Sequence, residues 1–269
     1  MSNVHDKFII EGTLELLSGL HIGAGRMTVD TDAAVVKDAN DNPYIPGSSL
    51  KGVLRTLSER FHHLVLPPEG TPVCFLADDD CNKKEEVRKQ IERYMKEKRE
   101  NEIEALIAQK VCPVCQLYGS QFRASKLIVC DSFLQGKDEG KGKKLTTVRH
   151  SVAIDRDTGA AKDGAKYDYE VVHKGLQFSF RIEGEQLNKQ DERLLWIALL
   201  QLASGRVHLG GKVSRGLGRV QLKDIRLYTY NLSCGEGRKA YLQFLLDSKH
   251  RTEQTFDEWT NCLFPSLGQ

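Results

Sequence analysis

FIIEGTLELL, residues 8–17, alternates: Ile10, Leu14 and Leu16 fall on one face of an extended chain, Glu11, Thr13 and Glu15 on the other. Successive side chains of a strand point to opposite faces, so this pattern predicts a half-buried strand. LQFSFRIE, residues 176–183, repeats it with Leu176, Phe178, Phe180 and Ile182. Between Ser48 and Leu66 the period changes. Leu50, Val53, Leu54, Leu57, Phe61 and Leu64 follow helical spacing, with Pro46, Gly47 and Ser48 as the helix start. A second helix is predicted from Lys189 to Ser204 through Leu194, Leu195, Ala198, Leu199 and Leu202, closed by Gly205. Further strands at Leu127–Phe133 and Arg219–Tyr230 complete the order strand, helix, strand, strand, helix, strand. That is an α+β, ferredoxin-like arrangement.

Two long insertions interrupt it, Pro67–Phe122 and Leu134–Gly175. Insertions of that length in a compact domain are commonly functional or disordered. The segment from Glu236 onward is expected to add helical packing through Tyr241, Leu242, Leu245 and Leu246. A chain of 269 residues with 40% hydrophobic content has enough apolar surface for an ordinary core. No apolar run approaches the roughly 20 residues that span a bilayer, and MSNVHDKF lacks the basic and apolar regions of a signal peptide. A cytoplasmic location is therefore expected, with no membrane partner.

Seven cysteines cannot all pair within one chain, and in a reducing compartment their grouping points to metal. Cys74 and Cys81 have six residues between them, and CPVC supplies Cys112 and Cys115. Between the pairs runs a charged helical segment with Val87, Ile91 and Tyr94 on one face. Four thiolates brought together by a helical excursion make a closed, tetrahedral, structural zinc site; unliganded thiols are the other reading. His62 and His63 are read as surface residues rather than substitute ligands, and Cys130, Cys234 and Cys262 as isolated packing residues.

Net charge is only +2, so basic character is local. GRVHLGGKVSRGLGR, residues 205–219, carries Arg206, Lys212, Arg215 and Arg219 without an acid, which suits phosphate contact. The second insertion carries Lys141, Lys143, Lys144, Arg149 and Arg156, with Tyr167 and Tyr169 available for stacking. It reads as a projecting hairpin that touches single-stranded nucleic acid, or as a flexible surface loop. GSSLKG places backbone donors at a helix start with Lys51 and Arg55 about a turn apart. Without the spaced glycine and GK[ST] end of a Walker motif, it reads first as an ordinary capped helix. Asp30, Asp32, Asp38 and Asp41 on their own are loop residues.

Taken in order, LHIGAG, YIPGSSLKGVLR, CPVCQLYGS, VAIDRDTGAAKDGAKYDYE and LGGKVSRGLGRV resemble the RAMP superfamily of CRISPR-associated proteins. The chain looks like the backbone subunits that assemble along the guide RNA in type III effector complexes. The resemblance implies an RRM-like palm over 1–66, 123–133 and 176–235, with a zinc lobe over 67–122. It makes 134–175 a thumb that kinks the guide–target duplex, and leaves 236–269 as a C-terminal helical tail. It implies guide-RNA contacts from Lys51, Arg55, Lys212 and Arg215, contacts from Arg149 and Arg156 in the thumb, and neighbouring effector-complex subunits as partners.

In catalytic members an aspartate after the first strand supports metal-dependent cleavage of target RNA. Here the matching run is DAAVVKD, so Asp32 takes that position, with magnesium or another divalent ion as cofactor. Asp30 is then a neighbour, and Asp38 and Asp41 are turn formers. Two alternatives stay open: a noncatalytic guide-RNA-binding subunit, and a guide-processing endoribonuclease. For the latter His21 and His150 are available, with no evident acid–base partner.

Overall fold

The computed structural model describes residues 6–25, 31–68, 72–75, 81, 84–136, 144–157, 159–247 and 253–267. Asp30, Lys141 and Lys143 lie outside the described residues. The alternating stretch forms β1 (Asp6–Leu16), the middle of the main sheet. It is followed by helix α1 (Gly47–Phe61), helices α2 (Glu85–Lys96), α3 (Glu100–Lys110) and α4 (Pro113–Tyr118), and the short strand β2 (Leu127–Val129). Then come β3 (Thr146–Ile154), β4 (Ala161–Val172), β5 (Gln177–Glu185), α5 (Lys189–Ala203), β6 (Val207–His208) and β7 (Arg219–Asn231). Helix α6 (Gly235–Leu246), β8 (Glu253–Thr255) and α7 (Phe256–Leu263) close the described chain.

The main sheet runs β2-β5-β1-β7-β6, with β8 on β7, and its neighbours pair antiparallel. The two strands between α1 and α5 in the predicted order are β2 and β5, and β1 sits between β5 and β7, as a split strand–helix–strand repeat requires. Register follows from the apolar pattern: Leu14 lies opposite Phe178 and Ile10 opposite Ile182, all fully buried. Helices α1 and α5 cover this face with Leu50, Leu54, Leu195 and Leu199. Ser58 ties them, donating to the Leu194 carbonyl at 2.9 Å and meeting the Tyr118 hydroxyl of α4 at 3.0 Å.

Each long helix starts where the sequence placed it, for different physical reasons. Asn188 caps α5, its side chain accepting from Gln190 and Asp191 N–H while Asp191 accepts from Asn188 N–H. At α1 no side chain of its own caps the turn; Asp131, just past β2, accepts the Gly47 N–H at 2.7 Å. Gly47 is needed because a Cβ there would meet the Val129 carbonyl at 2.1 Å. The first donor of this helix is thus already bonded within the protein, which favours the ordinary capped reading of GSSLKG.

Four expectations are corrected. The predicted strand 127–133 is regular only to Val129; beyond it Ser132 bridges Ile45 and Leu134 bridges Phe178. Leu64 is 61% exposed because α1 gives way to a 3-10 turn at His62. Helix α6 packs not through its leucines but through Phe244 and Tyr241, against Ile9, Tyr228 and Tyr230 on the sheet's outer face; Leu242, Leu245 and Leu246 are exposed. Cys234 and Cys262 are exposed rather than packed, and the Cys234 sulfur caps α6 by accepting the Gly237 N–H at 3.3 Å.

The second insertion stands apart as a two-stranded antiparallel hairpin, β3 with β4, carrying Val152 and Ile154 exposed on β3. Its base is tied to the rest through bridges of Val172 to Leu20 and of Tyr169 to Ala33.

Truncating Phe178 to alanine removes a fully buried ring at the centre of the sheet and is expected to cost about 3–5 kcal/mol in urea denaturation. Leu246→Ser, at the most exposed of the α6 leucines, is expected to stay within about 0.5 kcal/mol of the parent.

Candidate metal centre and nucleic-acid interface

The four cysteines singled out by spacing converge. The sulfurs of Cys74, Cys81, Cys112 and Cys115 all lie within 4.8 Å of one another, and all four residues are buried. Pro113 starts α4 directly after Cys112, so the Cys115 N–H turns back onto the Cys112 sulfur at 3.5 Å, while the Cys112 N–H reaches Cys81 at 3.3 Å. Burial pushes the Cys74 thiol up to about 12, whereas sulfur contacts, first with Cys112, hold Cys81 well below the usual thiol range. A divalent cation lets four crowded thiols ionise together. His62 and His63 are not part of the cluster.

Arg55 completes this centre. Its Nη2 donates to the Cys115 sulfur at 3.2 Å, its Nη1 to the Gly119 carbonyl at 3.0 Å and its Nε to Glu59 at 2.8 Å. The guanidinium therefore turns inward, against the sulfurs, whereas the family resemblance implied a guide-RNA contact for it. Lys51 has no ion-pair partner among the described residues, and burial followed by the charge of Arg55 lowers its pKa.

A second constellation forms where the hairpin base meets the loop after β1. Thr31, Ala34 and Val35 are buried, and Asp32 between them is exposed. One Asp32 oxygen accepts the Asp168 N–H of β4 at 3.0 Å. Asp38 accepts the N–H groups of Asn40 and Asn42, and Asp41 has φ 64°, so both act as turn residues. On β3, the His150 Nδ1 lies 2.7 Å from an Asp168 carboxylate oxygen. The sequence offered no acid–base partner for this histidine; hairpin register supplies one, eighteen residues away. His21, by contrast, is buried, its Nδ1 held 2.7 Å from the Glu170 carbonyl.

The basic loop joins the same place. Gly210 and Gly218 adopt positive φ, and a Cβ on either would meet backbone carbonyls, of His21 at 2.3 Å and Leu209 at 2.0 Å. Here glycine serves close packing of the protein on itself. Lys212 and Arg215 then reach the hairpin: the Lys212 ammonium lies 4.2 Å from the Tyr169 ring centroid, and Arg215 covers the Tyr167 ring at 5.4 Å and bonds its hydroxyl. Tyr169 is buried against His21 and Leu217 and is not open for base stacking, contrary to the expectation from composition. Arg149 and Arg156 are exposed on the hairpin.

A sequence profile of the RAMP superfamily matches residues 13–221. The chain is 28% identical over 231 residues to the "CRISPR system Cms endoribonuclease Csm3" of Methanocaldococcus jannaschii, covering 82% of this chain and 80% of that one. It is 29% identical over 254 residues to the protein of the same name from Mycobacterium tuberculosis, covering 84% and 90% respectively. The Streptococcus thermophilus protein of that name is 26% identical over 240 residues, covering 83% and 90%. The profile spans most of the chain, from β1 through the hairpin and the basic loop into β7; the protein belongs to the RAMP superfamily.

Proposed function

We propose that this protein is a backbone subunit of a type III CRISPR effector complex, which binds guide RNA and cleaves complementary target RNA in a metal-dependent manner. The observation that carries the proposal is the placement of Asp32: an exposed carboxylate between buried neighbours, tethered to the projecting hairpin whose Tyr167 and Tyr169 carry Lys212 and Arg215 of the basic loop. The names of the Csm3 relatives support the same activity.

In this reading 67–122 is a zinc lobe and 134–175 a thumb. Cys74, Cys81, Cys112 and Cys115 hold a structural zinc, with Arg55 balancing the negative charge of four thiolates. Lys51, Lys212, Arg215, Arg149 and Arg156 contact RNA, whose backbone is constant while its sequence varies. Asp32 faces the target strand. One carboxylate with another nearby on Asp168 is the kind of donor set that magnesium takes together with substrate phosphate. When bound there, a divalent ion would supply positive charge against the charge building on the scissile phosphate. The protein's own part is to hold a splayed nucleotide so that its 2′-hydroxyl lines up with the adjacent phosphorus. The products carry a cyclic phosphate and a free 5′-hydroxyl. Of the two histidines available to a guide-processing role, burial takes His21 out of reach of a substrate, whereas His150 stays exposed beside Asp168.

Freshly purified protein is expected to contain one zinc per chain by metal analysis, and Cys115→Ser to lose it. Hydrogen exchange in that variant should quicken over 67–122 while amides of β1 and β5 stay protected. In assembled complexes, Lys51→Ala, Lys212→Ala and Arg215→Ala should each weaken guide-RNA binding and reduce the slope of log affinity against log salt by about 1. Asp32→Ala is expected to leave guide binding and assembly intact while abolishing one regular set of target cuts, because an exposed loop carboxylate contributes little to stability. Cleavage at the parental rate in that complex, with other catalytic subunits silenced, would leave only the noncatalytic backbone role.

A further inference from the structure

We propose that His150 is the general base of the cleavage reaction, taking the proton of the attacking 2′-hydroxyl, with Asp168 as its positioning residue. The proposal rests on the target-cleaving reading above and adds a reacting group beside Asp32.

Strand register brings the three side chains into one row. His150 in β3 lies directly opposite Asp168 in β4. On the other edge of β4, Ala33 bridges Tyr169 in parallel, so Asp32 runs alongside Asp168 and takes its N–H. Side chains alternate between faces along extended chain, which puts Asp168 and His150 on one face, opposite to Tyr169 and Arg149, while the Asp32 carboxylate sits at the edge of β4 on the Asp168 N–H. Neighbouring strands are about 4.8 Å apart, so two spacings separate the backbones of Asp32 and His150 by roughly 10 Å. A nucleotide and its phosphate laid across the row can touch both ends.

The pair also has the orientation that a base needs. A carboxylate only accepts hydrogen bonds, so the 2.7 Å contact with Asp168 places the imidazole proton on Nδ1 and leaves the Nε2 lone pair directed outward. Asp168 is fixed by its place in β4. The His150 side chain is 80% exposed, so nothing else in the described structure competes for Nε2. Carboxylates in general are feeble bases at neutral pH, whereas imidazole is well matched to it. A lone aspartate leaves the reaction without an efficient proton acceptor; the histidine supplies one.

The step balances as follows. Nε2 takes the 2′-hydroxyl proton as the O2′ electron pair forms the bond to phosphorus, and the phosphorus–O5′ bond breaks. The 5′-oxygen is protonated by water, and the imidazolium returns its proton to the hydroxide so formed. Nothing is oxidised or reduced, and no co-reactant beyond water is consumed.

The test uses the assembled, guide-loaded complex under single turnover, with other catalytic subunits silenced. His150→Ala and His150→Gln are both expected to slow cleavage about 100-fold or more without changing target binding. Glutamine can still donate to Asp168 but cannot take a proton, so a merely structural role would be restored by it. Added imidazole should restore cleavage to His150→Ala in a dose-dependent manner and should not restore it to Asp32→Ala. Parental rates in either His150 variant, or no response of His150→Ala to imidazole, would overturn the proposal while a silent Asp32→Ala complex left the cleavage reading standing. Full cleavage by Asp32→Ala would instead remove the reading on which the proposal depends.

Discussion

A buried carboxylate in β4 is the constraint around which the hairpin base is organised. Glu170 is 7% exposed and spends both oxygens inside the protein. One accepts from Thr146 of β3 at 2.5 Å and pairs with Lys37 at 2.9 Å; the other accepts the Val35 N–H at 3.1 Å. Its own carbonyl holds His21. Burial pushes this carboxyl up, but the bonds from Thr146, Lys37 and Val35 outweigh it and hold the group below the usual carboxylate range. A buried charge is tolerated only when so paired. Because its partners come from the loop after β1 that carries Asp32 and from the first strand of the hairpin, satisfying one carboxylate fixes both against β4. Glu170 is two residues from Asp168 on β4, so the loop held by this pairing also brings Asp32 to the Asp168 N–H.

How much of this was legible in the sequence depended on whether the deciding contact was periodic. The strands and helices of the sheet layer were, since Leu14 opposite Phe178 and the inward faces of α1 and α5 repeat at their own spacing. CPVC announced the thiol cluster because its spacing is local. Long-range partners were not legible. Nothing near Arg55 in sequence says that its guanidinium turns toward Cys115, and His150 meets Asp168 only through hairpin register. Helix α6 shows the limit of composition: three leucines suggested packing, yet the sheet's outer face offers tyrosine rings, and Tyr241 and Phe244 match them. The same holds for Tyr169, an aromatic in a basic segment that the fold uses as core.

The outer face of the sheet is informative for what it withholds. Sheets that bind single strands commonly present exposed aromatics on which bases stack. Here the corresponding surface carries Glu11, Arg181 and Glu183 in one ion-pair cluster and Lys223 with Glu15 in another. Tyr228 and Tyr230 lie under α6, and the ring left exposed beside Ser179 is Phe133, stacked on Tyr44. Acidic side chains with cations already paired repel a phosphate backbone rather than attract it. The cations that stand without carboxylate partners among the described residues, Lys212, Arg215, Arg149 and Arg156, lie instead on the basic loop and the hairpin.

Helix α1 divides its two cations between these tasks. Lys51 and Arg55 are one turn apart, and helix geometry sets them on neighbouring positions of one face. Arg55 is drawn inward by the sulfur cluster and the Gly119 carbonyl, so its charge serves the metal centre. Lys51 remains at the half-buried surface and feels that charge as a lowering of its own pKa, after the larger effect of burial. Four thiolates around a divalent cation carry a net negative charge, which offsets Arg55 and favours the charged form of Lys51. The thiol cluster thus reaches Lys51 without touching it, through the Arg55 guanidinium between them.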